Sequence, residues 1–523
     1  MATMSAFEIL GPVMVGPSSS HTAGALRCAR VAASLMEGEI EHVSFTLHNS
    51  FAHTYHGHGT DRALVAGVLG MDTDDERIRD AFQVARDAGL DYAFELAEDD
   101  PRVHPNTVDI FMRDNRGDTC TVRGESLGGG RVRVSRINGV DVDISGEYDT
   151  LFVAHRDTPG VLASLTLLLS QHDINIAFMR TYRTERGGDA YTVFELDELP
   201  PSCVLDELRH NANIVTATYV QVPGAQPSSA SAPDELFETA SELLSLCGRH
   251  GLNIGALMAV REAALTSEDE VVRAMTRVLQ VMRDETEAPI SEPRRSLGGL
   301  IGGEARGVAE HRDSFGSSLM GTVQTEAVAR AMAVLERSAS MGVIVAAPTA
   351  GSSGVVPGCV LACARHLGLD DAQTMDALFC AAAVGMLLST NACVAGAEGG
   401  CQAEVGSAAA MAAAALVQML GGSPACALDA ASIALGNLLG LVCDPVGGLV
   451  EVPCQNRNAI GVACAFSSAQ LALSGVKSLV PFDEMAQVML DVGHAMPSAL
   501  RETARGGIAV APSACSACGG CNK

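Results

Sequence analysis

Apolar and polar residues alternate with two different periods along this chain, and the change of period marks its organisation. His42-Val43-Ser44-Phe45-Thr46-Leu47 alternates at every second residue, as a half-buried strand does, and Thr119–Val122 and Arg131–Ile137 read the same way. Thr22–Met36 has helical spacing and follows the polar run Ser18-Ser19-Ser20-His21. Residues 1–146 therefore read as an α/β domain. In residues 147–222 the two periods interleave. Strands fall at Tyr148–His155, Ile174–Arg183, Ala190–Leu196 and Ile214–Val222, and helices at Gly160–His172 and Ser202–His210. The order is βαββαβ, the ferredoxin-like pattern. Residues 223–234 are rich in Pro, Ser and Ala and read as a linker. From 235 to 523 helical spacing recurs between Gly-rich breaks, which predicts an all-α domain.

Composition sharpens this multidomain picture. Hydrophobic residues make up 47% of the chain, yet aromatics only 4%, and Trp is absent. Ala and Gly dominate instead, so the core is expected to be built from closely packed small-residue helices. Ala377–Ala397 and Val405–Asp429 resemble membrane spans at first sight, but Leu and Ile are sparse and Gly421-Gly422-Ser423-Pro424 breaks the second. Both read as buried helices rather than inserted ones. A formal charge of −27 argues against nucleic acid and anionic membrane as partners, since both select a positive surface. Met1–Leu10 carries Glu8 and no basic segment leading into an apolar stretch, so a cytoplasmic, reducing location is expected. There the sixteen cysteines are thiols or metal ligands rather than disulfides. Cys28, Cys359, Cys363, Cys380 and Cys464 lie in apolar, Ala-rich runs and read as small core residues.

Three cysteines have different surroundings. Cys401 follows Glu398-Gly399-Gly400, Cys443 opens Cys443-Asp444-Pro445-Val446-Gly447-Gly448, and Cys454 closes Val452-Pro453-Cys454. Beside Gly and Pro, their sulfurs are expected on turns, where backbone N–H groups can reach them. Three such thiolates fit an iron–sulfur cluster with one iron left open; from position alone, three buried thiols fit equally well. Elsewhere, Ser18, Ser19, Ser20 and His21 precede a helix and form either an anion site or an ordinary cap with spare serines. His58 stands between Gly57 and Gly59, next to Thr60 and Asp61, where a neutral imidazole could act as a base. His48, His53, His56 and His58 could instead be read as a metal site, although their spacing is irregular.

Taken together and in order, several segments resemble those of the iron–sulfur L-serine dehydratases, over nearly the whole chain. They are Gly16–Thr22, Gly57–Asp61, His104-Pro105-Asn106, Ser126–Gly130, Pro348–Gly354, Glu398–Cys401, Cys443–Gly448, Val452-Pro453-Cys454 with Arg457-Asn458-Ala459, and Arg501–Thr503 with Arg505-Gly506-Gly507. The resemblance implies a single chain joining a substrate-binding β-type domain to a helical α-type domain. It implies a [4Fe–4S] cluster on Cys401, Cys443 and Cys454, and sensitivity to oxygen. It also points to Ser18–His21, Thr60, Ser126 and Thr349 as substrate contacts, and to His58, with His21 and His104, as proton-transfer candidates. The product would be pyruvate and ammonia. In some relatives a terminal cysteine occupies the open iron position; here the tail Cys515-Ser516-Ala517-Cys518-Gly519-Gly520-Cys521 could cap the cluster, with Cys521 the candidate, bind a metal of its own, or be inert.

Residues 147–222 resemble an ACT domain, through Asp157-Thr158-Pro159-Gly160 and His172-Asp173-Ile174-Asn175. Asp157, Gly160 and Asn175 would then form an amino-acid-binding corner of a dimerising regulatory module, in a homodimer or larger homo-oligomer. Two competing readings remain open at this stage: a related cluster lyase acting on L-cysteine or L-threonine, and a non-catalytic amino-acid or redox sensor. Pyridoxal phosphate is not expected, because its chemistry needs an internal lysine and only Lys477 and Lys523 exist, neither in a phosphate-binding loop.

Overall fold

The computed structural model describes residues 4–128, 130–144, 148–183, 185–220, 236–315 and 319–517. The proposed linker 223–234, the junction at 145–147 and Cys521 lie outside these residues.

The first unit is a six-stranded sheet in the order Asp91–Leu96, Ile40–Leu47, Thr107–Asp114, Thr119–Gly128, Arg131–Ile137, Val140–Ile144. Its first two strands are parallel and the rest antiparallel. The period-two alternation at 42–47 does what it predicts: Val43, Phe45 and Leu47 are fully buried, and Ser44 and Thr46 point the other way. The predicted helix over Thr22–Met36 differs from what is seen. A π-helical turn at Ser19–Gly24 runs into an α-helix at Ala25–Ser34. The Ser18 hydroxyl caps this start by accepting from the His21 N–H, so the serines begin the helix rather than precede it.

The second unit has the predicted βαββαβ order and a four-stranded antiparallel sheet: Ile214–Val220, Asp149–Arg156, Asp189–Leu196, Ile176–Arg183. Helices Val161–Gln171 and Ser202–Arg209 cover one face, where Leu151, Val153, Phe194 and Leu196 join Leu165 and Val204 in a small core. The opposite face is already used within the chain. Phe152, Val193 and Val220 pack into the core of the first unit, and of the sheet's two edge strands Ile176–Arg183 keeps Phe178 and Met179 exposed.

Among the described residues beyond 236, the regular elements are helical with one exception. Val343–Val345 is a strand, pairing antiparallel with Val13–Val15 so that Met14 faces Ile344. This short ribbon fastens the first unit to the third. Helices surround Ser407–Met419, whose alanines 408–410 and 412–415 are completely buried. A helix apolar on all sides belongs at the centre of a core, and small side chains let its neighbours pack close. Among the described residues one helix, Asp371–Asn391, is long and apolar enough to cross a membrane, with 72% of its apolar window buried. Its residues Ala377–Leu388 join the same core, as the sequence reading of this stretch expects. Cys359, Cys363 and Cys380 are buried there, Cys28 is buried in the first unit, and Cys464 packs against the helical core.

Candidate active site

A narrow cleft opens where the first and third units meet. One wall is the π-turn segment Pro17–Ser20. The other is built from loops of the helical unit: Thr349 and Gly351, Ala395 and Gly396, Glu404, Cys443 and Pro445, Val450 and Cys454, and Glu502.

Cys401, Cys443 and Cys454 come together beside this cleft, all buried. They differ from the expected turns: Cys401 caps the start of the π-helical turn Gln402–Gly406, Cys443 bridges Arg501 as a lone β-pair, and Cys454 opens a helix. Gly400 precedes Cys401 with φ +75°, and a Cβ there would lie 3.0 Å from the Leu441 carbonyl, so glycine is what lets the 401 and 441 segments touch. Gln402 closes that contact: its N–H donates to Leu441 O at 2.9 Å and its side chain accepts from Gly440 N at 2.8 Å. Cys443 is clasped by the C-terminal segment, its N–H donating to Leu500 O and its carbonyl accepting from Glu502 N, both at 2.8 Å. Cys454 starts the helix Cys454–Leu473. One turn on, Arg457 donates to Val442 O and Asp444 Oδ1, both at 2.7 Å, which ties the Cys443 loop to the Cys454 helix. Asn458 does the same for the Pro348–Gly354 loop, donating to Gly351 O at 2.8 Å and accepting from Gly354 N at 3.1 Å.

Electrostatics couple these three cysteines to one another and to Glu404. Burial pushes the Cys401 thiol up to about 12, with Glu404 adding to the shift and Arg457 opposing it. Cys443 and Cys454 are raised well above the ordinary thiol range by burial and by the acids and cysteines around them. Three sulfurs in mutual electrostatic contact ionise together only around a cationic centre. The donor set therefore fits a metal cluster, with Arg457 supplying an outer positive charge.

Two carboxylates complete this wall, and sequence reasoning assigned neither. Glu404 stands on a second π-helical turn, Gln402–Gly406, and accepts from Thr349 Oγ1 at 2.8 Å. Burial pushes it up to about 7, against the pull of Thr349 and Arg457. Glu502 has φ +58°, left-handed backbone that is costly for a residue with a side chain. Burial and then Glu404 push its carboxyl up to about 8, partly offset by the Ala397 N–H. The signal for Glu404 was available: it is one of few charges in a long apolar stretch. Glu502 lay inside a recognised segment without a stated role.

His21 and His58 lie behind the opposite wall, both fully buried, with rings perpendicular and centroids 4.3 Å apart. His21 is hydrogen-bonded through Nδ1 to Ser18 Oγ at 3.2 Å and through Nε2 to Ser50 Oγ at 2.9 Å. Neither ring nitrogen of His58 has a hydrogen-bond partner; the Gly448 backbone lies close enough to favour its charge but outside hydrogen-bond geometry. Burial lowers His58 to about 4, and burial and then His58 lower His21, so both rings are neutral near pH 7. A ligand-type atom from each of His21, His58 and Glu502 lies within 4.8 Å of the others.

The remaining candidates fall in different places. Ser18 and Ser19 line the cleft but also hold structure: Ser18 caps the π-turn, and Ser19 Oγ accepts from Ala350 N at 2.8 Å. Ser20 and Thr349 line it too. Ser126 does not; it is packed under Gly24, behind the helix. Thr60 is buried at the start of the helix Thr60–Val68, its hydroxyl unpaired, away from the cleft lining. His104 is part-buried, accepts from Asn106 N at 3.2 Å, and is lowered by burial; it too stands outside the lining. The alternative histidine metal site does not assemble, because His48, His53 and His56 pair separately with Asp109, Asp99 and Asp61. Asp157 accepts from Gly187 N and Arg183, Asn175 donates to Asp197, and Gly160 caps the Val161–Gln171 helix at φ +93°. Lys477 is exposed.

The comparisons with known proteins divide the chain in the same order. The serine dehydratase beta chain model matches residues 5–99, the ACT domain model residues 150–213 and the serine dehydratase alpha chain model residues 249–509. L-serine dehydratase of Streptomyces coelicolor is 32% identical over 517 residues, covering 97% of this chain and 98% of that protein. The alpha chain of L-serine dehydratase from Peptoniphilus asaccharolyticus is 45% identical over 276 residues, 52% of this chain and 94% of its own length. The beta chain from the same organism is 40% identical over 222 residues, 42% of this chain and 100% of its own length. Beta-type, ACT and alpha-type segments in one polypeptide, with a full-length relative at that identity, show that the chain belongs to the serine dehydratase family.

Proposed function

We propose that this protein converts L-serine to pyruvate and ammonia, using a [4Fe–4S] cluster held by Cys401, Cys443 and Cys454. The observation that carries the reading is the convergence of three distant cysteines beside a cleft whose facing wall offers hydroxyls backed by an unpaired neutral imidazole. When bound, such a cluster supplies Lewis acidity toward the substrate hydroxyl.

The protein's own groups account for the rest. The hydroxyls of Ser18–Ser20 and the helix start behind them receive the substrate carboxylate. His58, neutral and next to Glu502, accepts the α-proton. His21, tethered by Ser18 and Ser50, fixes the plane against which His58 packs. Deep burial limits water around the proton being moved. Division at about residues 146 and 223–234 gives each domain its task, and the substrate binds between the outer two. The middle unit is read as an amino-acid sensor that pairs with a second copy through its edge strand Ile176–Arg183, its other face being occupied. A small-molecule enzyme of the cytoplasm, with no nucleic acid or membrane partner, suits the acidic charge.

Anaerobic assays with L-serine, D-serine, L-threonine and L-cysteine, with iron and sulfide counted on the same sample, test this reading. Pyruvate from L-serine by an iron-containing chain is expected; preference for cysteine or threonine would replace the substrate, and an iron-loaded chain inert to all four would remove the activity.

A further inference from the structure

We infer that Glu404 and Glu502 form the ammonium-recognition site of the cleft, which selects an α-amino acid over the corresponding hydroxy acid. This rests on the reading of the cleft as an amino-acid site and adds how the amino group is held.

The two acids come from separate parts of the helical unit, yet both open onto one cleft. Glu404 is aimed by two contacts. Thr349 Oγ1 holds its Oε1 at 2.8 Å. Its Oε2 lies where a Cβ on Gly396 would come within 2.7 Å, so the glycine keeps that oxygen's place clear. Glu502 is aimed by its backbone: the paired hydrogen bonds between 500–502 and Cys443 keep it in the left-handed region, turned toward the cleft. No lysine or arginine is among the described residues that line the cleft. The nearby Arg457 is engaged by Val442 O and Asp444.

A pair of acids alone would not make a site. The independent observation is His58, completely buried with both ring nitrogens unpaired and within 4.8 Å of the Glu502 carboxylate group. A buried imidazole left unsatisfied is costly, which marks the space beside Glu502 as one that a polar ligand fills. Charge then selects the ligand. Burial holds both carboxyls partly protonated in the empty cleft, and an ammonium arriving between them favours their ionised forms. Acids on one wall and hydroxyls on the other thus complement a zwitterion better than a simple anion, with ammonium toward Glu404 and Glu502 and carboxylate toward Ser18–Ser20. In that pose the α-carbon lies between the acids and the serines, on the side that His58 backs.

The test uses the full, anaerobically cluster-loaded chain and an unreactive pair of ligands that differ only at the α-substituent, L-alanine and L-lactate. Calorimetry on the wild type is expected to show L-alanine binding tighter than L-lactate by about tenfold or more, the usual size of a charged hydrogen bond. Glu404→Gln and Glu502→Gln should each remove most of that preference by weakening L-alanine while leaving L-lactate unchanged or tighter, with iron content at the wild-type level. Glu502→Asp should restore part of the preference. Equal weakening of both ligands, loss of iron in the Gln variants, no preference in the wild type, or no L-alanine binding would each overturn the assignment. A wild type that discriminates as expected but makes no pyruvate from serine would sink the proposed activity and leave the ammonium site standing. Normal turnover with no discrimination would do the reverse.

Discussion

The two walls of the cleft are built on opposite electrostatic principles. The helical unit brings together groups that become negative when they ionise, three cysteines and two glutamates, each held toward its neutral form by burial, with one arginine behind them. The first unit brings neutral groups, serine hydroxyls and two buried imidazoles kept uncharged by desolvation. The difference teaches a division of labour. The acidic wall is a place for cationic species, whether iron or the substrate's ammonium; the neutral wall is a place for a carboxylate and for a proton in transit. Damage to one wall should therefore leave a different signature from damage to the other.

The largest effect is expected at the acidic wall. Cys443→Ala should lose most bound iron and all detectable turnover, and Cys401→Ala and Cys454→Ala should match it. Cys363→Ala and Cys464→Ala, altered in the packed helices, should keep the visible absorbance band. Full iron content in all five variants would refute the ligand assignment.

The neutral wall should respond otherwise. His58→Ala is expected to keep its iron and lose turnover by about a hundredfold to ten-thousandfold, the usual weight of a general base. Its pH behaviour has a definite sign. Burial lowers His58 from 6.5 to about 4, so the ring stays unprotonated as pH falls through 6.5 and is silenced only as pH approaches 4. An acid limb of kcat/KM lying below the ordinary imidazole range is expected; a limb near 6.5 that survives in His58→Ala would assign it to another group.

Smaller than either is the effect expected of Arg457→Gln. It cuts the tie between the Cys443 loop and the Cys454 helix without removing a sulfur. Outer-shell changes of this kind cost about ten- to a hundredfold in metal affinity, so iron should be lost to a chelator faster than in the wild type by a similar factor. Unchanged release kinetics would mean that Arg457 serves the fold alone.

The smallest effect is regulatory and touches neither wall. If the middle unit senses serine, coupling of about 1–3 kcal/mol is typical, and wild-type serine dependence should be sigmoidal. Asn175→Ala, which removes the bond to Asp197 at the corner, should make it hyperbolic with iron content unchanged. Hyperbolic wild-type kinetics would count against the sensor role.

Legibility in the sequence follows the range over which each feature is encoded. The strands at 42–47 and 131–137 and the whole βαββαβ unit were readable because burial on one face writes a local period. Both π-turns were not: Ser19–Gly24 and Gln402–Gly406 differ from α-helix by one residue of register that no local pattern records, and each delivers cleft residues. The Val13–Val15 pairing with Val343–Val345 was hidden for the same reason, since a three-residue strand inside a helical region has no period to show. The cysteine trio stood out through its Gly and Pro neighbours. Glu404 showed only as a charge in an apolar stretch and Glu502 not at all, because what gives each a role is the other, brought to the same wall from a distant part of the chain.

The most direct test of the central claim, that turnover depends on a cluster held by the acidic wall, follows one anaerobic sample as air is admitted, recording cluster absorbance and pyruvate formation from L-serine together. The account predicts that the two decline in parallel and that both recover on anaerobic reconstitution with iron and sulfide. Pyruvate formation continuing at its initial rate after the cluster absorbance has gone would contradict it.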